Sequence, residues 1–214
     1  TLRGASVLDL GSGTGLTSFA AAAAGARTVF CTDGEPSVLG NAENNARANP
    51  ASAGVVRVRQ LRWDEAEGDL LVRLLSGQTR GGDAQEQAKA VGDASFRWQA
   101  ADADELRRCT LLLAADCCYD DAATSALLRL VGQLLPRLPA GAAALFALER
   151  RVNFCLEGMR VRAPAAEFFA ASVRAREAAG EWAVERLECA RVPQLFEGHE
   201  RAGADLELWR VTRA

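Results

Sequence analysis

Several residue types are scarce in this chain, and each scarcity closes off a class of function. His199 is the sole histidine, and it lies in the polar stretch EGHER, where a lone imidazole reads as a surface residue rather than a metal ligand. The six cysteines, at 31, 109, 117, 118, 155 and 189, form no CxxC pair; they argue against a zinc cluster and suit a reducing compartment, with Cys117 and Cys118 as small core residues. No apolar run approaches the ~20 residues that span a bilayer, and no signal peptide opens the sequence, so no membrane association and a soluble, intracellular protein are expected. A basic surplus is also missing: the net charge is -3 and the pI about 5.4, which disfavours direct nucleic-acid binding. Lys89 is the only lysine, so the basic charge is almost all arginine, a bias of coding rather than of function.

What is present is a chain of 214 residues, 49% hydrophobic. That is enough for one core burying roughly 70% of the unfolded surface, and one domain over 1–214 is expected. A strand begins almost at Thr1, so the chain is expected to be cut from something longer. GASVLDL (4–10) is a buried-strand run, GLTSFAAAAAGA (15–26) a helix closed by Gly25, RTVFCTD (27–33) a second strand, and PSVLGNAENNARANP (36–50) a helix framed by prolines. VVRVRQLRW (55–63) alternates as a half-exposed strand does. The pattern then dissolves: 64–108, with GQTRGGDAQEQ, reads as an insertion, partly flexible, with at most a helix at 65–75 and little core. Order returns with a strand at 109–116, a helix over 123–138 closed by Pro136 and Pro139, a strand at 141–150, a helix over 164–179, and strands near 182–189 and 206–212. Strands alternating with helices predict an α/β fold with a mainly parallel sheet, and the last two strands, with no helix between them, predict an antiparallel edge.

Gly11, Gly13 and Gly15 in LDLGSGTGL fall between the first strand and the first helix, where glycines let a ligand approach the backbone and a helix start offers free N–H groups. The spacing is GxGxG. A dinucleotide fingerprint would need glycine where Leu16 stands, so a cofactor with a carboxylate tail is favoured over a pyrophosphate. Asp33 ends the second strand eighteen residues after Gly15, placed to accept both hydroxyls of a ribose, although Asp-Gly is also a turn dipeptide. Trp63 ends the third strand beside the same crevice, either packing on an adenine or belonging to the core.

LLLAADCCYDD (111–121) is the most informative stretch, because a run apolar enough for a buried strand ends in Asp116, two cysteines, Tyr119 and two further acids. DLGSGTG with an acid closing strand two resembles the Rossmann-like, seven-strand S-adenosylmethionine-dependent methyltransferases. The spacing Asp116 to Tyr119 resembles the DxxY motif of the family-16 protein-lysine methyltransferases, and FRW (96–98), LERRVNF (148–154), PQLFEGHER (193–201) and LELWRV (206–211) add to the likeness, which runs from Val7 to Val211. The resemblance implies strand order 3-2-1-4-5-7-6 with an antiparallel last strand and helices on both faces. It implies S-adenosylmethionine as cofactor, bound by Asp9, Gly11, Ser12, Gly13, Gly15, Asp33, Trp63 and Ala115, and Asp116 and Tyr119 as the catalytic pair. The partner it implies is a protein presenting a lysine, in nucleus or cytoplasm, and a monomer is expected. Family members carry a segment before the glycine loop that helps close the active site, and this chain begins without it.

A carboxylate at the end of strand four could hold an incoming ammonium and accept its proton, while Tyr119 offers that cation an aromatic face. Asp116 could instead cap the following helix; Asp120 and Asp121 read as first-turn acids that complement its dipole. Glu149, Arg150 and Asn153, beyond strand five, are candidates for the substrate mouth or simple surface charge. Two functions therefore stand side by side: a protein-lysine N-methyltransferase acting on a non-histone intracellular protein, and a catalytically inactive interaction domain of the same fold. A nicotinamide-dependent oxidoreductase is disfavoured by Leu16 and by the lack of a crevice histidine.

Overall fold

The computed structural model describes residues 2–77, 94–156, 159–189 and 205–214. Nine strands and six α-helices are described: β1 Ser6–Leu10, α1 Leu16–Ala23, β2 Thr28–Asp33, α2 Pro36–Ala48, β3 Val56–Gln60, α3 Glu65–Ser76, α4 Asp102–Arg107, β4 Cys109–Ala115, α5 Asp121–Leu134, β5 Ala143–Glu149, β6 Asn153–Cys155, β7 Arg160–Arg162, α6 Pro164–Ala178, β8 Trp182–Leu187 and β9 Leu206–Arg213.

Seven strands form one sheet in the order β3-β2-β1-β4-β5-β9-β8. The first five run parallel, β9 lies antiparallel to β5, and β8 antiparallel to β9. Counting only these seven strands, this is the 3-2-1-4-5-7-6 order that the family resemblance implies. The short pair β6–β7 forms a separate two-stranded antiparallel ribbon after β5, which sequence periodicity did not foresee because each strand is only three residues long.

Alternation along the strands divides the core. Val7, Val29 and Leu113 pack with Ala21 and Ala22 of α1 on one face, while Leu8, Phe30, Leu112 and Phe146 pack on the other with leucines of α3 and α5 and Phe169 of α6. Because every residue of β1 is buried, both faces of the central strands are covered, as parallel sheets require.

Residues 64–108 depart from expectation. The helix at 65–75 is there, but Leu70, Leu71, Leu74, Phe96, Trp98 and Leu106 are all buried, so the described residues of this stretch, 64–77 and 94–108, supply core. Trp98 stacks near Phe30 at 5.2 Å and its Nε1–H donates to the Gln60 carbonyl at 2.9 Å. Most of GQTRGGDAQEQ lies outside the described residues, as do the expected surface residue His199 and the PQLFEGHER stretch. The helix expected at 123–138 begins two residues earlier, and Pro136 sits inside a closing 3-10 turn, Leu135–Arg137, where its missing N–H costs nothing. Among the described residues no helix is long and apolar enough to cross a membrane.

Candidate active site

The site gathers in the loops and turns at the carboxyl ends of β1, β2 and β4. Gly11, Gly13 and Gly15 have φ of 73°, 55° and 91°, left-handed values that strain any residue with a Cβ. They hold a tight loop whose outer atoms are tied down. Ser12 N–H donates to the Thr32 carbonyl at 2.8 Å, Gly13 N–H to Asp33 Oδ2 at 3.1 Å, and Asn45 Nδ2 to the Thr14 carbonyl at 3.0 Å. A Cβ on Gly11 would stand 2.9 Å from both Cys117 Sγ and the Trp63 ring, whereas one on Gly13 would meet nothing within 4 Å. Gly11 is thus pinned between β4 and the end of β3, and Gly13 faces open space.

Asp9 sits under this loop, 1% exposed. Its Oδ2 accepts from Ser18 Oγ at 2.7 Å, but Oδ1 is buried with no hydrogen-bond partner. Burial pushes its carboxyl up to about 6, against the lowering effect of Ser18. A carboxylate so placed wants a donor, preferably a cation. Asp33 turns both oxygens toward backbone donors, Oδ2 to Gly13 N–H and Oδ1 to Glu35 N–H at 3.1 Å; each keeps a lone pair for a hydroxyl. Trp63 packs half-buried against the core with its Nε1–H buried and without a partner.

Beyond β4 the backbone turns sharply. Ala115, the last residue of β4, lies opposite Ala147 of β5, and Asp116 has φ 53°, a conformation that asparagine and aspartate tolerate better than most residues. Its N–H donates to the Ala147 carbonyl at 2.7 Å, so the peptide is anchored while the side chain projects outward, 60% exposed. Asp116 does not cap α5. That role belongs to Asp120, whose Oδ1 accepts from Ala123 N–H at 2.8 Å, and Asp121 occupies the first turn. Cys117 joins the two halves of the site: it reaches back to the Leu10 carbonyl at 3.1 Å. Burial raises the Cys117 thiol and pushes Cys118 up to about 12, so both stay protonated at neutral pH and offer no nucleophile.

The residue that sequence reasoning missed is Arg151. Its Nη2 donates to Asp116 Oδ2 at 2.7 Å, and its guanidinium lies 5.4 Å from the centroid of the exposed Tyr119 ring. The run ERR after β5 signals a basic position but does not say which arginine faces inward. Arg150, singled out from the sequence, instead reaches Glu207 at 3.5 Å, and Asn153 donates to the Arg151 carbonyl at 3.0 Å. Glu149 closes β5, exposed, opposite Leu206.

Comparison with known proteins gives the following likenesses. A family model described as lysine methyltransferase matches residues 1–75. The chain is 33% identical to methyltransferase-like protein 22 of Mus musculus over 98% of its own length and 49% of that protein, and equally to the Homo sapiens protein, of which it covers 48%. It thus spans about half the length of these curated relatives. Among solved structures, the methyltransferase domain of bacterial CtHen1-CN aligns with a TM-score of 0.55 at 14% identity, covering 97% of this chain and 89% of that one. A TehB-like SAM-dependent methyltransferase from Corynebacterium glutamicum aligns at 0.50 and 15% identity, covering 100% and 83%. These two share the fold.

Proposed function

The chain is a relative of the lysine methyltransferases, and from that premise we propose that it is an S-adenosylmethionine-dependent protein-lysine N-methyltransferase, acting on a non-histone intracellular protein. The observation that carries the reading is the placement of Asp116: an exposed carboxylate, fixed in a left-handed turn beside the glycine loop, with an aromatic ring next to it and a cation between them.

S-adenosylmethionine supplies an activated methyl group on a sulfonium. The residues present fit such a group. Gly13 leaves space on the outer side of the loop, the unpartnered Asp9 Oδ1 suits the ammonium of the methionine part, and the free lone pairs of Asp33 suit the ribose hydroxyls. Ser12, Gly11 and Gly15 shape the backbone around the methionine end, with Trp63 set toward the adenine and Ala115 at the end of β4 lining the crevice.

The acceptor poses a separate problem. A free lysine titrates near ~10.4, so at pH 7 only about one molecule in 2,500 is the nucleophilic amine. Asp116 holds the incoming ammonium by a charge-assisted hydrogen bond, Tyr119 stabilises it from the ring face, and the pair orients the nitrogen along the line of displacement. Asp116 receives or relays the proton first, and the neutral amine then attacks the methyl carbon as its bond to sulfur breaks, leaving a neutral thioether.

Calorimetric titration tests the cofactor half. S-adenosylmethionine and S-adenosylhomocysteine are expected to bind with micromolar affinity, roughly -8 kcal/mol, and NAD not at all. Asp33→Ala should weaken binding by about tenfold or more, because an unmet ribose hydroxyl costs at least ~1.4 kcal/mol; unchanged affinity would remove the ribose assignment. Binding without transfer to any protein would instead favour the inactive interaction domain.

A further inference from the structure

Among the described residues, seven large hydrophobic side chains are exposed, and five of them, Val152, Phe154, Leu156, Met159 and Val161, lie on or beside the β6–β7 ribbon. Phe154 stands directly opposite Val161 in the antiparallel register, so the two share one face of the ribbon; Val152 leads into β6, and Leu156 and Met159 lie in the turn that joins the strands, extending the exposed apolar surface at both ends of the ribbon. The other side carries Asn153, Cys155, Arg160 and Arg162, and Arg162 is tethered to Glu167 at the start of α6. The polar face is thus fastened to the body of the protein and the apolar face is turned outward. Scattered exposed hydrophobics need no explanation, but a contiguous strip rimmed by charge marks an interaction surface.

The root of the ribbon is also the mouth of the site. Arg151 immediately precedes Val152 and is the cation held between Asp116 and Tyr119. A lysine that takes Asp116 Oδ2 and the place beside the ring displaces the guanidinium that holds them, which leaves Arg151 without its counter-ion. A substrate that brings its own carboxylate near the lysine restores the balance: lysine takes Asp116, and Arg151 takes the substrate's acid.

We propose that the β6–β7 ribbon is the docking platform for the segment bearing the acceptor lysine, an extended stretch with apolar side chains at alternate positions and an acidic residue near the lysine, admitted by exchange of the Arg151–Asp116 ion pair. This rests on the methyl-transfer reading above for the identity of the acceptor, and on the ribbon's own geometry for the flanks.

The test uses three dye-labelled peptides with one central lysine each and fluorescence polarisation against the S-adenosylhomocysteine-loaded chain. One peptide carries leucines at alternate positions and glutamates near the lysine; in the second the leucines are serine, in the third the glutamates are glutamine. The first is expected to bind about tenfold tighter than either control. Phe154→Ser with Val161→Ser should erase the leucine advantage alone, and Arg151→Gln the glutamate advantage alone, with S-adenosylhomocysteine affinity retained as the check on folding. Equal affinity for all three peptides, no binding of any, or preferences untouched by the substitutions would overturn the proposal. Radiolabel transfer to the same peptides separates the two claims: binding with flank preference but no transfer removes the methyl-transfer reading and keeps the platform, while transfer without flank preference does the reverse.

Discussion

Asp9 shows how a single residue can trade stability for binding. It lies near the end of a strand buried on both sides, and burial raises its carboxyl from the usual 3.8 to about 6. An acid whose folded value lies above its unfolded one favours the fold while protonated, so that contribution is full below about pH 4 and is lost as pH rises through about 6. At neutral pH the ionised form costs the cofactor-free fold about 3 kcal/mol. Asp9→Asn should therefore raise the melting temperature at pH 7 and leave it nearly unchanged at pH 4, while weakening S-adenosylmethionine; thermal melts at the two pH values and a titration check both. Gly11 acts through space instead. Gly11→Ala adds a Cβ at φ 73° within 2.9 Å of Cys117 Sγ and the Trp63 ring, and a loss of about 2 kcal/mol with collapse of cofactor binding is expected in urea denaturation. The glycines, Asp33 and Asp116 could be picked out in the sequence because strand ends are visible there. Arg151 could not, since a side chain's direction after a strand depends on a turn that no periodicity encodes.

At the scale of elements, α4 and its neighbours carry more core than the sequence suggests for the described parts of 64–108. The sequence there has short helices without a clear period, yet Asp102 at its start is 1% exposed and accepts from Arg59 Nε at 2.6 Å, Arg57 Nη1 at 3.0 Å and Gln99 N–H at 2.8 Å. Burial pushes its carboxyl up, but the Arg59 and Gln99 hydrogen bonds outweigh that and hold it below its usual value. Asp102 thus pins α4 to the edge strand β3. Asp102→Ala strands two partly buried guanidinium groups and should destabilise the chain by about 3 kcal/mol, measured by urea denaturation. Asp120→Ala offers a milder contrast: loss of one N-cap hydrogen bond should cost about 1 kcal/mol and leave cofactor affinity intact, because Asp120 faces α5 rather than the crevice. The ribbon β6–β7 escaped the sequence reading for a different reason, since NFC and RVR are too short to show alternation until pairing brings them together.

For the molecule as a whole, topology does most of the positioning. The sheet order brings β1, β2 and β4 side by side, so three separated sequence motifs meet at one edge: the glycine loop, Asp33 and Asp116. Apolar runs, glycine turns and helical stretches made the mainly parallel α/β sheet with its antiparallel edge legible in the sequence, while the strand order itself came from the family resemblance. The acceptor side depends on the turns beyond β4 and β5, and it is there that the structure adds most. The central claim is that Asp116 serves the acceptor amine and not the cofactor. The measurement that tests it most directly compares the native chain with Asp116→Ala for transfer of radiolabelled methyl from S-adenosylmethionine to cellular proteins, alongside cofactor affinity by calorimetry. Label on a lysine that falls by about a hundredfold or more in the variant, with cofactor affinity within about twofold, is the predicted result; a variant that transfers as well as the native chain, or that loses the cofactor as well as the activity, would contradict it.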